Sequence, residues 1–340
     1  MTLSAAIYGL AGVKLSEAER SFFREADPWG FIIFARNVNA PDQLKKLTDS
    51  LRNLTGRAQL PILIDQEGGR VARLRPPQWR AAPSGARFGE LYERNAAAAL
   101  EAVHLNSRLI GHELAQMGIN VDCLPVLDVP LAGSHDVIGD RAYSTNPNHV
   151  AALGRAAADG LLEAGILPVI KHIPGHGRAL ADSHDTLPHV TAALEQLTGS
   201  DFVPFKALAT LPLAMTAHIV YDAIDPALPA TLSPIVIERI IRQQIGYDGL
   251  LITDDLSMTA LSGDFVRRTR DCLRAGCDMV LHCNGKMPEM SAVASACPAL
   301  EGAALDRAER ALALLGPKPE PLDEGAIVAR LAELLAEDVA

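Results

Sequence analysis

Residues 150–172 have the sequence VAALGRAAADGLLEAGILPVIKH, and they contain the unit from which the fold is predicted. The first part has the apolar spacing of a helix, which Gly165 ends because glycine accepts a left-handed conformation without a Cβ clash. Ile166–Ile170 is apolar throughout, as is typical of a strand buried on both faces of a parallel sheet. Polar Lys171 and His172 follow at once. The unit is therefore a helix, a glycine or proline, a buried strand and a polar strand end.

This unit recurs along the chain and predicts an α/β fold. The predicted strands are Phe31–Phe34, Pro61–Ile64, Ile119–Leu124, Ile166–Ile170, Leu211–Thr216, Leu250–Thr253 and Met279–Leu281. Seven units predict a closed (β/α)8 TIM barrel, with the eighth strand expected between Pro298 and Leu315. An open doubly wound sheet is the main alternative, but no G-x-G-x-x-G follows the first strand. We expect one TIM-barrel catalytic domain over residues 1–340, with a C-terminal helical tail over about 317–340.

Composition excludes several classes of protein. The net charge is −10 and there is no long basic run, so we expect no nucleic-acid partner. No apolar stretch reaches the roughly 20 residues that cross a bilayer, so we expect no membrane association. Met1–Leu15 lacks the basic start of a signal peptide, and Ser16-x-x-Glu19 resembles a capping box that opens a helix. A cytoplasmic location is therefore expected.

The five cysteines predict reduced thiols rather than a disulfide framework or a zinc site. They form no C-x-x-C pair, their number is odd, and each lies in or beside an apolar run. They are Cys123, Cys272, Cys277, Cys283 and Cys297.

Residues 171–188, KHIPGHGRALADSHDTLP, form the most informative polar segment. Its three histidines, His172, His176 and His184, suggest a metal site, but the prolines and glycines between them exclude the helical spacing of H-E-x-x-H. A long excursion after a buried strand is where barrels place function. Asp182 lies two residues before His184, and such a carboxylate could orient the imidazole as a general acid and base. A chance Asp-x-His pair is the alternative.

Asp254 and Asp255 end another predicted strand. A carboxylate at this position can attack an anomeric carbon or stabilise an oxocarbenium ion. The alternative is that one of the two caps the following helix, a common role of aspartate. Alternation along the strand sends the two side chains to opposite sides, so each could have one of these roles.

Asp65-Gln-Glu-Gly-Gly-Arg-Val-Ala-Arg73 is the third polar locus. The glycines allow close approach of backbone to a ligand. Asp65 can accept hydrogen bonds from sugar hydroxyls, and arginines can donate paired hydrogen bonds to oxygens. A salt-bridged loop without a ligand is the alternative.

Together these segments resemble the glycoside hydrolase family 3 β-N-acetylhexosaminidases, specifically the single-domain enzymes of peptidoglycan recycling. The resemblance covers nearly the whole chain. The matching segments are Phe34-Ala-Arg-Asn37, Asp65-Gln-Glu-Gly-Gly-Arg70, Leu127-Asp128, Lys171-His-Ile-Pro-Gly-His-Gly177, Asp182-Ser-His184 and Thr253-Asp-Asp-Leu-Ser-Met258. The combination K-H-x-P-G-H-G with D-S-H is the most specific of them.

The resemblance implies a role for each matching residue. Asp254 would be the nucleophile, and His184 paired with Asp182 would be the acid and base. The sugar would be bound by Asp65, Arg73, Arg141, Lys171 and His172. Many members carry a second α/β domain that supplies a carboxylate acid, and the histidine loop would replace it here.

The implied activity is that of a retaining exo-β-N-acetylglucosaminidase acting on small cell-wall glycosides. The expected substrate is an N-acetylglucosaminyl muropeptide, GlcNAc-1,6-anhydroMurNAc. We expect no cofactor, no metal and a monomer. Three alternatives stay open: transfer of the sugar to phosphate, a Schiff-base aldolase using Lys171, and a sugar-binding protein without turnover.

Overall fold

The strands close into a barrel. The computed structural model describes residues 3–131, 135–183, 185–315 and 322–336. Its strands are β1 (Ser4–Gly9), β2 (Pro28–Ile33), β3 (Ile62–Ile64), β4 (Val121–Asp122), β5 (Leu167–Ile173), β6 (His189–Val190), β7 (Leu213–Thr216), β8 (Val220–Tyr221), β9 (Leu250–Asp255) and β10 (Met279–His282). Eight form a closed parallel barrel in the order β1-β10-β9-β7-β5-β4-β3-β2, while β6 and β8 pair with each other. The predicted (β/α)8 barrel is confirmed, and the open sheet is excluded.

Helices surround this barrel. They are α1 (Glu17–Ala26), α2 (Pro41–Thr55), α3 (Gly85–Arg94), α4 (Ala96–Gln116), α5 (Pro147–Glu163), α6 (Leu194–Gly199), α7 (Phe202–Ala207), α8 (Phe265–Ala275), α9 (Met287–Ala296), α10 (Gly302–Leu312) and α11 (Glu324–Ala336), with a π-helix at Val236–Gln244 and short 3-10 helices at Ala35–Asn37, Gly139–Arg141 and Ala230–Leu232. Within the described ranges, none of these helices has the length and apolarity needed to span a membrane.

Local sequence signals explain where the helices begin and end. The capping box is present at α1, because the Ser16 hydroxyl accepts the Glu19 N–H while the Glu19 carboxylate accepts the Ser16 N–H. Gly165, with φ of 74°, ends the helix before β5, and Gly276, with φ of 113°, ends α8. The structure therefore contains the predicted unit of a helix, a glycine and a buried strand before β5 and before β10.

The eighth strand is not where the sequence predicted it. The region from Pro298 to Leu315 contains helix α10, whereas the missing strand is β1, which pairs with both β2 and β10. Within the part of the chain that the structure describes, no helix and glycine precede β1 to mark it. Ala308 and Ala311 of α10 instead pack beneath the barrel interior.

The barrel strands are buried on both faces, as their continuous apolar sequences predicted. Ile7, Leu63 and Ile252 belong to a cluster that fills the barrel interior. Their strand neighbours, such as Tyr8 and Leu251, belong to a second cluster shared with the surrounding helices. All five cysteines are free, and four of them are buried. The packed interior places any ligand site above it, at a mouth of the barrel.

Candidate active site

The carboxyl ends of the barrel strands surround a cavity of about 160 Å³. Asp254 and all five residues expected to bind the sugar line it, namely Asp65, Arg73, Arg141, Lys171 and His172. Sequence reasoning therefore collected residues that are far apart in the chain and adjacent in space. Apolar side chains, including those of Phe34 and Met215, complete the wall.

Asp65, just after β3, is held between two cations. Its Oδ1 accepts a hydrogen bond from Lys171 Nζ at 2.9 Å, and its Oδ2 accepts one from an Arg73 guanidinium nitrogen at 3.0 Å. Burial alone would raise the pKa of Asp65, but Lys171 and Arg73 outweigh burial and hold that pKa below its usual range. The same pairing keeps the pKa of Lys171 above its usual value despite burial. A protonated ammonium is not a Schiff-base nucleophile, which argues against the aldolase alternative.

Glu67 is a site residue that the sequence interpretation did not assign. Its Oε1 lies 2.6 Å from Lys171 Nζ, and its two oxygens accept paired hydrogen bonds of 2.8 Å from Arg141. Burial opposes ionisation, yet Arg141 and Lys171 lower the pKa of Glu67 to about 2. A signal was available, because Glu67 lies two residues after Asp65 in the same glycine-containing loop. Arg141 lines the cavity, although the sequence around it matches the family only loosely.

Gln66, between these two carboxylates, fixes the course of their loop. Its backbone N–H donates to Asp122 Oδ1 at 2.9 Å, below the cavity. Its side-chain oxygen accepts the N–H groups of Arg73 and Leu74 at 2.8 and 3.0 Å. The buried Gln66 amide therefore fixes the backbone at Arg73, so that the Arg73 guanidinium can reach Asp65.

Asp128 binds the end of β5 and the turn that follows it. Its carboxylate accepts the backbone N–H groups of His172 at 3.1 Å and His176 at 2.6 Å, and also His172 Nδ1 at 2.7 Å. Burial would raise the pKa of Asp128, but His172 and His176 lower it to about 2. Because Nδ1 of His172 donates to this carboxylate, its Nε2 is left for a ligand. The sequence motif contained Asp128, but no role had been assigned to it.

His176 also lines the cavity. Burial, followed by the neighbouring His172, lowers the pKa of His176 to about 4, so the ring is neutral near pH 7. Its Nε2 lies 3.4 Å from the Ser183 hydroxyl. The rings of His172 and His176 are 5.5 Å apart in an edge-to-face arrangement. Across the described residues no group of three potential metal ligands occurs, while the third histidine of the motif, His184, lies outside them.

Asp254 and Asp255 end β9, and neither caps a helix. Helix α8 is capped by Asp264 instead, which contradicts the capping alternative. Asp254 lines the cavity, and its Oδ1 accepts the N–H of Asp255 at 2.8 Å. The Asp255 carboxylate accepts the N–H and hydroxyl of Ser257, at 2.9 and 2.5 Å, and the next strand's Cys283 N–H at 3.0 Å. Both aspartates line the cavity, and the Asp255 carboxylate in addition holds the turn after β9.

The expected acid and base pair is only partly described. Ser183 lines the cavity, and its carbonyl accepts the Ala260 N–H at 3.2 Å, which ties this segment to the loop after β9. The Asp182 carbonyl accepts the N–H of Thr186 at 3.0 Å. His184 lies outside the described residues, so its pairing with Asp182 stays a prediction.

Comparison with known proteins is consistent with this geometry. Residues 2–313 match the family described as "Glycosyl hydrolase family 3 N terminal domain". A β-hexosaminidase of Alkalilimnicola ehrlichii is 42% identical over 288 residues, covering 84% of this chain and 82% of that protein. One from Methylococcus capsulatus is 40% identical over 299 residues, covering 87% and 86%. The crystal structure of NagZ from Neisseria gonorrhoeae in complex with N-trifluoroacetyl-D-glucosamine is 30% identical, with a TM-score of 0.88 and coverage of 98% and 99%.

Proposed function

This chain belongs to glycosyl hydrolase family 3 and is a glycoside hydrolase, and we propose that it removes terminal β-N-acetylglucosamine with retention of configuration. The observation that carries the proposal is the position of Asp254. It is an inward-facing carboxylate at a barrel strand end, in the same cavity as the charged cluster around Lys171. The β-hexosaminidase names of the relatives and the amino-sugar derivative bound by the NagZ structure support the N-acetylhexosamine specificity.

The cavity can hold one sugar by many directed hydrogen bonds. Asp65 and Glu67 offer acceptor oxygens, while Lys171 and Arg141 offer donors, and all four are fixed by one another before a ligand arrives. Preorganised polar groups of this kind orient a ligand without the cost of ordering flexible side chains. A volume of about 160 Å³ is below the roughly 300–1,000 Å³ of pockets for drug-sized ligands, which favours a single terminal ring.

In the first step, an Asp254 oxygen forms a bond to the anomeric carbon as the bond to the aglycone oxygen breaks. The hydrogen bond from the Asp255 N–H orients the Asp254 carboxylate for this attack. His184, oriented by Asp182, gives its proton to the departing oxygen. In the second step His184 takes a proton from water, whose oxygen displaces Asp254 from the anomeric carbon. Two displacements retain the β configuration, with imidazole replacing one of the usual two carboxylates.

The proposed substrate is a muropeptide with terminal N-acetylglucosamine, GlcNAc-1,6-anhydroMurNAc, cleaved in the cytoplasm during cell-wall recycling by a monomeric enzyme. This finer proposal rests on the family resemblance.

The first experiment compares aryl N-acetylglucosaminide with the matching aryl glucoside. Turnover of the first should be faster by at least about 100-fold, since buried polar groups reject an analogue that leaves them unpaired. Equal rates would contradict the hexosamine specificity. In phosphate buffer the product should be the free sugar, and a sugar 1-phosphate would instead indicate a phosphorylase.

The second experiment identifies the nucleophile. A 2-fluoro glycoside with an activated leaving group should label Asp254, as peptide mapping would show. A label on another residue would overturn the assignment. His184→Ala should slow substrates with poor leaving groups far more than activated aryl glycosides, because only the former require a proton during departure. Equal losses would argue against acid catalysis by His184.

A further inference from the structure

A buried chain of hydrogen bonds lies behind the proposed nucleophile. His218 follows β7, and its Nε2 lies 3.1 Å from the carbonyl oxygen of Asp255. Its Nδ1 lies 2.7 Å from the Thr231 hydroxyl, which is in turn 2.8 Å from the Thr216 hydroxyl. His218, Thr216 and Thr231 are fully buried, and none of them lines the cavity. The chain therefore cannot contact the substrate directly.

The direction of each hydrogen bond follows from the chemistry of the groups. The Asp255 carbonyl can only accept, so Nε2 of His218 carries the proton. Burial lowers the pKa of His218, so the ring is neutral near pH 7 and Nδ1 is an acceptor. The Thr231 hydroxyl then donates to Nδ1 at 2.7 Å in preference to the Ala217 carbonyl at 3.1 Å. Thr231 thereby fixes the tautomer that allows His218 to hold Asp255.

Asp255 passes this restraint to the nucleophile. Its peptide N–H donates to Asp254 Oδ1 at 2.8 Å, and its own carbonyl is the group that His218 holds. Its side chain is bound separately by Ser257 and by the Cys283 N–H. Rotation of the backbone around Asp255 would move the N–H away from the Asp254 carboxylate. His218 opposes that rotation, together with the Met258 N–H that also donates to this carbonyl at 3.1 Å.

We propose that His218 is a positioning residue for Asp254, acting through the backbone of Asp255, with Thr231 fixing the imidazole tautomer. The inference rests on the proposed function, because it assumes that Asp254 is the nucleophile. It assigns a role in the reaction to a histidine outside the K-H-x-P-G-H-G and D-S-H motifs.

The test measures the rate at which Asp254 becomes labelled. A 2-fluoro glycoside with a dinitrophenyl leaving group needs no proton from an acid, so its labelling rate reports the attack alone. His218→Met removes the donor and should slow labelling about 10- to 100-fold with an unchanged dissociation constant, since small displacements of a reacting group cost rates of this order. His218→Gln offers an amide N–H to the Asp255 carbonyl and should recover most of the rate.

A matched control separates positioning from loss of a buried imidazole. His282, on neighbouring β10, is equally buried but faces Glu289 at 3.3 Å. His282→Met should label at the wild-type rate when rates are expressed per titrated active site. A His218→Met rate equal to wild type per titrated site, or a Gln variant as slow as the Met variant, would overturn the inference.

Thr231→Val keeps the test decisive where His218→Met fails to fold. The variant removes the hydroxyl with little change in shape, and it should slow labelling by about 3- to 10-fold, because the imidazole loses the partner that fixes its tautomer. A wild-type rate for a folded Thr231→Val would contradict the proposed role of the hydroxyl chain. Wild-type protein labelled at a residue other than Asp254 would refute the proposed function itself, and the inference with it. Labelling at Asp254 with unaffected variants would refute the inference alone.

Discussion

Two ion-pair clusters with the same numbers of carboxylates and cations lie at opposite ends of the barrel. The pocket cluster consists of Asp65, Glu67, Arg73, Arg141 and Lys171. The base cluster consists of Arg242, Asp248, Asp278, Arg307 and Arg310. Each has two carboxylates and three cations, with contacts of similar length. The pocket cluster follows the carboxyl ends of strands, whereas Asp248 and Asp278 precede β9 and β10.

The ion pairs of the base cluster join elements of the fold to one another and do not face a ligand. Asp278 accepts hydrogen bonds from Arg242 at 2.7 Å, Arg307 at 2.9 Å and the Leu251 N–H at 2.9 Å. It thereby joins α10 and the π-helix to the starts of two strands. None of its five members lines the active-site cavity. Charge pairing alone does not identify an active site, and strand direction supplies the missing information.

The largest expected difference between the clusters is in activity. Lys171→Met should lower kcat/KM by roughly 1,000-fold or more, because it removes a preorganised donor and leaves Asp65 and Glu67 facing each other without their shared cation. Arg307→Met, in the base cluster, is the matched control and should change kcat/KM less than about threefold. Steady-state kinetics on an aryl N-acetylglucosaminide measures both. Comparable losses of kcat/KM in the two variants would show that the two clusters do not differ in their importance for activity.

The contribution of the pocket cluster to the free energy of unfolding should fall as the pH is lowered. The pKa of Glu67 is lowered to about 2 in the folded protein, so its ion pairs stabilise the fold above the unfolded pKa of about 4.3 and lose that effect as pH falls toward 2. The contribution is about 3 kcal/mol. Urea unfolding at pH 7, 4 and 3 should therefore show a shallower pH dependence for Glu67→Gln than for wild type. Asp248→Asn is the comparison, since Asp248 is mostly exposed and solvent screens its pairs. Parallel pH profiles for Glu67→Gln and wild type would contradict this picture.

The base cluster should matter for stability without activity. Arg242→Met removes a partner of buried Asp278 and two hydrogen bonds to backbone carbonyls, at Tyr247 and Gly249. We expect the free energy of unfolding to fall by about 1–3 kcal/mol, because Arg307 still pairs with Asp278. Denaturant unfolding measures this loss, and kcat/KM of the folded variant should be unchanged. A large kinetic defect would show that the amino end of the barrel communicates with the cavity.

The smallest effect is expected at the rim of the base cluster. Arg310 pairs with Asp248 at 3.0 Å, but both side chains are more than half exposed. Arg310→Ala should lower the free energy of unfolding by less than about 1 kcal/mol, as is usual for exposed ion pairs. Added salt should further reduce the difference in the free energy of unfolding between the variant and the wild type. A loss as large as that of Arg242→Met would mean that exposure is a poor guide within this cluster.

Sequence periodicity predicted the barrel because seven strands share the same local pattern, a helix followed by a glycine or proline and then by an apolar strand. It misplaced the eighth because the short sequence SAAIYG of β1 lacks that helix-and-glycine signal, and because the strand was expected between Pro298 and Leu315, where helix α10 lies. Which apolar segment closes a barrel depends on pairing across the whole chain, and local spacing does not encode it.

Residue chemistry predicted the cavity well where a polar side chain lies in the last residues of a strand or just after it, as at Asp65, Lys171 and Asp254. It missed Glu67, whose role depends on where Arg141 returns from a distant loop. Likewise, nothing in the sequence near His218 shows that its imidazole meets the carbonyl of Asp255. Such partners are set by tertiary contacts between elements that are far apart in the chain.

The pairing of β1 with β10 also constrains synthesis of the protein. Among the barrel strands β1 is made first, and one of its edges has no partner until β10, the last barrel strand, has been made. Until then the growing sheet has two open edges, and open edges recruit other strands. A nascent chain stopped before Met279 is therefore a candidate for aggregation or chaperone binding, whereas addition of β10 removes both edges at once.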